Sequence, residues 1–178
     1  MLVKKGDKEI VRKLYQENAN KLYYIAWRIL KNEEESEEAV RNCVRELIHI
    51  FSKYPHHTYD ELKEMSRVLV AKAAVDIALK KASDKPVTPK PEEELEDVPL
   101  IKPRFHELIV ENNEEQIKNA LKKLKADEKG FIYLRYGLGM DEKEIGELLN
   151  LSTALVKVKI GKCKIRFEEI LEEDDVKL

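Results

Sequence analysis

Five of the six prolines in this 178-residue chain crowd between Pro86 and Pro103. A proline fixes φ and removes a backbone N–H, so no continuous helix can cross such a stretch. The same stretch carries Glu92, Glu93, Glu94, Glu96 and Asp97. Acids and prolines together leave too little apolar surface to offset the entropy of ordering, and the segment reads as a linker. It divides the chain into a part spanning 1–82, a linker spanning 83–104 and a part spanning 105–178. Elsewhere Lys, Glu and Leu abound and Pro55 is the one remaining proline, which makes helix the default conformation. The expected fold is all-α: two small helical domains joined by a Pro- and acid-rich linker.

Apolar spacing places the helices. Val11, Leu14, Leu22, Ile25, Ala26 and Ile29 follow a helical period from about Asp7, with Asn18 and Asn20 leaving open one helix or two abutting ones. Asn32 with Glu35 and Thr58 with Glu61 read as capping boxes, in which each side chain accepts from the other's backbone N–H. The first opens an amphipath of Val40, Cys43, Val44, Leu47, Ile48 and Phe51; the second opens a helix with Leu62, Met65, Leu69, Ala73 and Ile77 facing inward. Past the linker, Phe105, Leu108 and Ile109 lead into a helix capped by Asn113 and Gln116 and bearing Ile117, Leu121 and Leu124. A helix from about Asp127 to Tyr136 is expected to stop at a left-handed Gly137.

Composition excludes several function classes. Cys43 and Cys163 are distant from each other and lie on apolar faces, so they read as core. His49, His56, His57 and His106 lack metal-ligand spacing. No nucleophile set, phosphate loop or dinucleotide fingerprint is present. The expectation is no catalytic residue, no metal, no cofactor and no enzymatic activity. No apolar run reaches membrane-span length and no signal peptide is visible, so no membrane insertion and a cytoplasmic location are expected. Tyr23 and Trp27 read as core aromatics, while Tyr54 and Tyr59 are left open. The net charge is −2, so a nucleic-acid surface would have to be local.

The segment Asp141–Phe167 supplies one. Asp141 and Glu144 cap a helix bearing Ile145, Leu148 and Leu149; a turn of about three residues follows at Asn150 and Leu151, and Ser152 caps a second helix. Gly146 stands where the two axes should cross, as in a helix-turn-helix. The second helix puts Val156, Ile160, Cys163, Phe167 and Ile170 inward and carries Lys157, Lys159, Lys162, Lys164 and Arg166 with no acid among them. Such cations neutralise phosphates and release counterions. Lys157 and Lys164, two turns apart on the side away from Val156, Ile160, Cys163 and Phe167, are expected to approach the groove with Thr153, and Lys159 and Lys162 to flank it. Thr153, Ala154, Lys157, Val158 and Gly161 are candidates to face bases or sugar edges, and few of them can make a bidentate contact; Ser152 joins them in the DNA-binding set. The bland alternative is a solvated basic face on a structural hairpin. The acids from Glu168 to Asp175 read as a solvated tail, or as an end that repels DNA or meets a basic partner.

The run Ile145-Gly146-Glu147-Leu148-Leu149-Asn150-Leu151-Ser152 followed by Val156-Lys157-Val158-Lys159 resembles the C-terminal domain of RNA polymerase sigma factors, as do Leu121–Leu124 and Tyr133–Tyr136. Leu22–Leu30 followed by Glu37-Glu38-Ala39-Val40 is similar to the opening helices of that family's N-terminal domain. The order of parts resembles the short, extracytoplasmic-function group. The resemblance implies an N-terminal domain that docks on the β′ clamp of core RNA polymerase through Glu37, Glu38, Arg41, Asn42 and Arg45. It also implies −10 promoter contacts near Lys72, Asp76, Lys80 and Lys81. The C-terminal domain would read the −35 element and touch the β flap. Partners would be core polymerase, promoter DNA and an anti-sigma protein.

This chain departs from the family pattern: Arg41, Asn42 and Val44 stand where a glutamine, an acid and an aromatic are usual, and Met65-Ser66 where a tryptophan-leucine pair is. Two other readings therefore stand beside the first: a free-standing helix-turn-helix regulator, and a sigma-like protein-interaction module.

Overall fold

A computed structural model of the chain describes residues 5–54, 57–83 and 114–175. Residues 84–104 of the expected linker, Phe105, His106, Leu108, Ile109 and the Asn113 cap lie outside the described residues, as do Pro55 and His56. Among the described residues the structure is all-helical, with seven α-helices and no strand. No described helix is long and apolar enough to cross a membrane. The chain forms two compact units, residues 1–81 and 82–178.

The first unit contains α1 (Lys5–Leu30), α2 (Glu33–Lys53) and α3 (Tyr59–Ser83). Helix α1 runs unbroken past Asn18, which is 6% exposed. A buried carboxamide is tolerable only when it is hydrogen-bonded. Here Nδ2 donates to the Leu14 carbonyl at 3.0 Å and to the Tyr59 hydroxyl at 3.2 Å, so the polar residue that suggested a break ties α1 to the start of α3. The Tyr59 hydroxyl in turn donates to Glu17.

Lys31, with φ 54°, ends α1 in the left-handed region and Asn32 opens α2 directly. The Asn32 side chain accepts from the Glu35 N–H at 2.9 Å. The expected reciprocal bond is replaced: the Glu35 carboxylate takes Lys81 Nζ of α3 at 2.6 Å. The box at Thr58 and Glu61 is complete, with Thr58 N–H to Glu61 Oε2 at 2.7 Å and Glu61 N–H to Thr58 Oγ1 at 3.3 Å.

Ala39, Val40, Cys43, Leu47 and Phe51 of α2 are buried, whereas Val44 and Ile48 are only partly covered. On α3 the buried residues are Leu62, Ser66, Val70, Ala71, Ala73, Ala74, Val75 and Ala78, so that Leu62 and Ala73 face inward as expected but the centre of the buried face has moved. It lies one residue, or roughly 100°, from the face expected on Met65, Leu69 and Ile77, which are half-buried. Ser66 can occupy the core because its Oγ donates to the Lys63 carbonyl at 2.6 Å, while its own carbonyl accepts from Cys43 Sγ at 3.4 Å. Tyr23 and Trp27 are not core either. They are half-buried and stack on each other at 6.3 Å, with Lys31 Nζ 5.7 Å from the indole.

The second unit contains α4 (Glu114–Lys123), α5 (Ala126–Ile132), α6 (Glu142–Leu149) and α7 (Thr153–Asp175). Helices α4, α5 and α6 each pack on α7. Val156, Ile160, Cys163, Phe167, Ile170 and Leu171 of α7 are buried, as are Phe131, Leu134 and Ile145 of the surrounding elements.

Gly137 is not a left-handed stop. The chain widens after α5 into five residues of π-helix, Tyr133–Gly137, with the Leu138 N–H on the Tyr133 carbonyl at 2.9 Å. The glycine is needed for a different reason: a Cβ there would lie 2.7 Å from Tyr133 Cδ2. The left-handed residue is Gly139, φ 71°.

Candidate nucleic-acid interface

The α6–α7 pair is built by local chemistry at three points. Asp141 and Glu144 form a complete capping box, at 2.7 and 2.8 Å, that fixes where α6 begins. Asn150 ends α6 with φ 55° and ψ 45°, a conformation asparagine tolerates better than most residues. The Leu151 N–H then reaches back to the Gly146 carbonyl at 2.8 Å, the long hydrogen bond that accompanies a left-handed helix end. Ser152 opens α7, its Oγ accepting from the Leu155 N–H at 3.2 Å. Gly146 is buried, and a Cβ there would stand 2.7 Å from the Leu151 carbonyl oxygen. Only a residue without a side chain lets the turn fold back this closely.

Helix α7 sorts its candidate residues around its circumference. Ser152, Thr153 and Ala154 are exposed where the helix begins, and Lys157, Lys162 and Arg166 are exposed along it. Lys159 and Lys164 are half-buried instead. The Lys159 ammonium lies 5.6 Å from the Phe131 ring and that of Lys164 lies 5.5 Å from the Tyr136 ring. Arg166 pairs with Glu169 at 2.9 Å.

This corrects the expectation that Lys157 and Lys164 point away from the core. At about 100° per residue they stand roughly a quarter-turn from the buried side. The face opposite Val156, Ile160, Cys163 and Phe167 belongs to Ala154, Val158, Gly161 and Ile165. Of the base-facing candidates, Ala154, Val158 and Gly161 share that outer face and Lys157 lies at its edge; Thr153, exposed in the first turn, stands about 110° from its centre, nearer the buried side. Ile165 completes the strip and was missed because an isoleucine between basic residues resembles one more core position.

On the first unit, the residues carried over from the resemblance divide. Glu37, Arg41 and Arg45 recur every fourth residue and line one groove of about 650 Å³ between α1 and α2, together with Tyr15, Asn20 and Tyr23. Arg41 pairs with Glu37 at 3.3 Å, and Arg45 donates to Asn42 Oδ1 at 3.0 Å. Glu38 is exposed and Asn42 half-buried, both beside the groove rather than lining it. On α3, Lys72 and Asp76 neutralise each other at 2.5 Å. Lys81 is held by Glu35 and faces α2, about a half-turn from Lys72; Lys80 is exposed.

Cys43 and Cys163 are 1% and 3% exposed, and burial pushes both thiols up to about 12. His49 is exposed, and His57 Nδ1 lies 3.7 Å from Glu61. No family model matches the chain, and no curated protein matches it.

Proposed function

We propose that the chain is an RNA polymerase sigma factor of the extracytoplasmic-function group, a cytoplasmic subunit that directs polymerase to promoters and performs no catalysis of its own. The observation that carries this reading is the α6–α7 pair: two helices joined through a left-handed Asn150 and a close-packed Gly146. The second of them is acid-free from Thr153 to Phe167 with five cations, which suits entry into a major groove as a helix-turn-helix. In this reading residues 105–178 bind the −35 element and touch the β flap, residues 83–104 link, and residues 1–82 dock on the β′ clamp and hold the −10 element. The Glu37–Arg41–Arg45 row along the α1–α2 groove supports docking there, with Glu38 and Asn42 at its margin. An anti-sigma protein would act by covering these surfaces.

A second reading, a free-standing DNA-binding regulator, draws support from α2 and α3, where the family's usual glutamine, acid and aromatic are replaced and Lys72 and Lys81 are already paired. Copurification with bacterial core RNA polymerase, followed by run-off transcription on genomic fragments, separates the two. Polymerase-dependent transcripts are expected. DNA binding without polymerase association would favour the regulator, and failure of both would leave an interaction module. Replacing Lys162 by Ala should weaken binding about equally across sequences and lower the salt slope by about one unit.

A further inference from the structure

Helix α7 is apolar on two opposite sides. One side is the core of its unit. The other is the strip Ala154, Val158, Gly161 and Ile165, whose spacing of four, three and four residues keeps it on a single face. Ala154 is exposed and Val158, Gly161 and Ile165 are half-buried, and a Cβ added at Gly161 meets nothing within 4 Å. A glycine inside a helix weakens it, and among the described residues no neighbour requires this one. A surface that must come close to the helix backbone from outside would require it.

We propose that this strip reads duplex DNA through the 5-methyl groups of thymine in the major groove. The proposal rests on the DNA-binding reading above. The strip carries no side-chain donor or acceptor, so it cannot make the bidentate hydrogen bonds that single out guanine or adenine. The thymine methyl is the apolar group that base edges offer in that groove. Charge decides against other occupants. Lys157 stands along one edge of the strip and Lys162 along the other, followed by Arg166, which already pairs with Glu169; all three are exposed. Two rails of cations beside an apolar floor match a groove bounded by two phosphate backbones. A second copy of α7 would set lysine against lysine.

Gly161 is then the point of closest approach, and Val158 and Ile165 are the side chains that meet methyls. Specificity arises from buried methyl surface, and the cations supply affinity that carries no sequence information.

The test uses the full chain, alone and with core polymerase, on duplexes enriched from a random pool. Each thymine is replaced in turn by uracil, which pairs identically and lacks only the methyl. Loss of a contacted methyl should weaken binding about fourfold, the effect of one buried methyl-sized group. Val158→Ser should abolish the thymine–uracil difference at the position it meets, keep the one at the position Ile165 meets, and leave the salt slope unchanged. Gly161→Leu, which the open space accommodates, should weaken binding at least tenfold without lowering the melting temperature. Salt-dependent binding that is indifferent to uracil at every position would overturn this inference and leave the DNA-binding reading standing. No salt-dependent duplex binding in either setting would overturn that reading and the inference with it. A dimer that Ile165→Glu dissociates, with DNA affinity unchanged, would assign the strip to a second copy and also overturn the inference.

Discussion

The same substitution, glycine to alanine, should have opposite effects at two positions of the α6–α7 pair. At Gly146 the new Cβ would lie 2.7 Å from the Leu151 carbonyl oxygen and 3.6 Å from the Thr153 nitrogen. Both atoms are backbone, held by the left-handed turn at Asn150 and the 2.8 Å bond from Leu151 to Gly146, so the turn must move to make room. Overpacking of this kind costs about 1–3 kcal/mol, against a gain of about 1 kcal/mol in helix propensity. Gly146→Ala should therefore destabilise the second unit by a net of up to about 2 kcal/mol. For a unit of this size each kcal/mol shifts Tm by about 4–8 °C, so a drop of up to about 15 °C is expected. At Gly161 no atom opposes the Cβ, and alanine should stabilise by about 0.5–1 kcal/mol. Thermal melts of the full chain read both. Far-UV circular dichroism follows the two units together, while fluorescence of Trp27, the chain's single tryptophan, follows the first unit alone and should not move. A gain in stability in Gly146→Ala would refute the close-approach argument, and destabilisation by Gly161→Ala would refute the space found at that position.

Other expectations follow from single contacts. Asn150→Ala should cost about 1–2 kcal/mol in chemical denaturation because alanine is strained at φ 55°, whereas Asn150→Gly should be close to neutral. The hydrogen bond to Glu17, with burial second, holds the Tyr59 hydroxyl above the usual tyrosine range. Its stabilising effect is full below the unfolded phenol's pKa and is lost as pH rises through the folded one. Tyr59→Phe should therefore flatten the alkaline end of a stability–pH profile. Both thiols should resist a thiol-specific reagent at pH 8 in the native chain and react once it is unfolded; modification of either under native conditions would contradict their burial.

Much of the helical architecture was legible because its signals are local. The boxes at Thr58–Glu61 and Asp141–Glu144 are each read from two residues three apart, and both form. Where a residue serves a distant partner, its local signal misleads. Glu35 abandons its box for Lys81, 46 positions away. Asn18 looks like a helix break until Tyr59 gives it a reason to be buried. Ser66 hid the true inner face of α3, since a serine is read as solvent-facing unless its carbonyl and hydroxyl partners are known. Gly137 was correctly singled out and wrongly explained, because the approach of Tyr133 depends on a π-turn that no spacing rule announces. At the candidate site the basic character of α7 was plain in the sequence. The division of its cations between exposed rails and aromatic contacts depends on where Phe131 and Tyr136 sit.

The reversal of charge along α7 limits how any polyanion can lie on it. The cations end at Arg166 and the acids begin at Glu168, about 3 Å further along the axis. That step is well inside the roughly 8 Å over which physiological salt screens a charge. A phosphate chain following the helix lengthwise would pass from attraction to repulsion within a single turn. The helix can therefore present only the stretch from Thr153 to Arg166, and the acids beyond it act as a stop that sets the depth of insertion. Neutralising Glu168, Glu169 and Glu172 together would remove that stop. Binding would then become tighter and less particular about the angle of approach, which the size of the protected footprint on DNA would reveal.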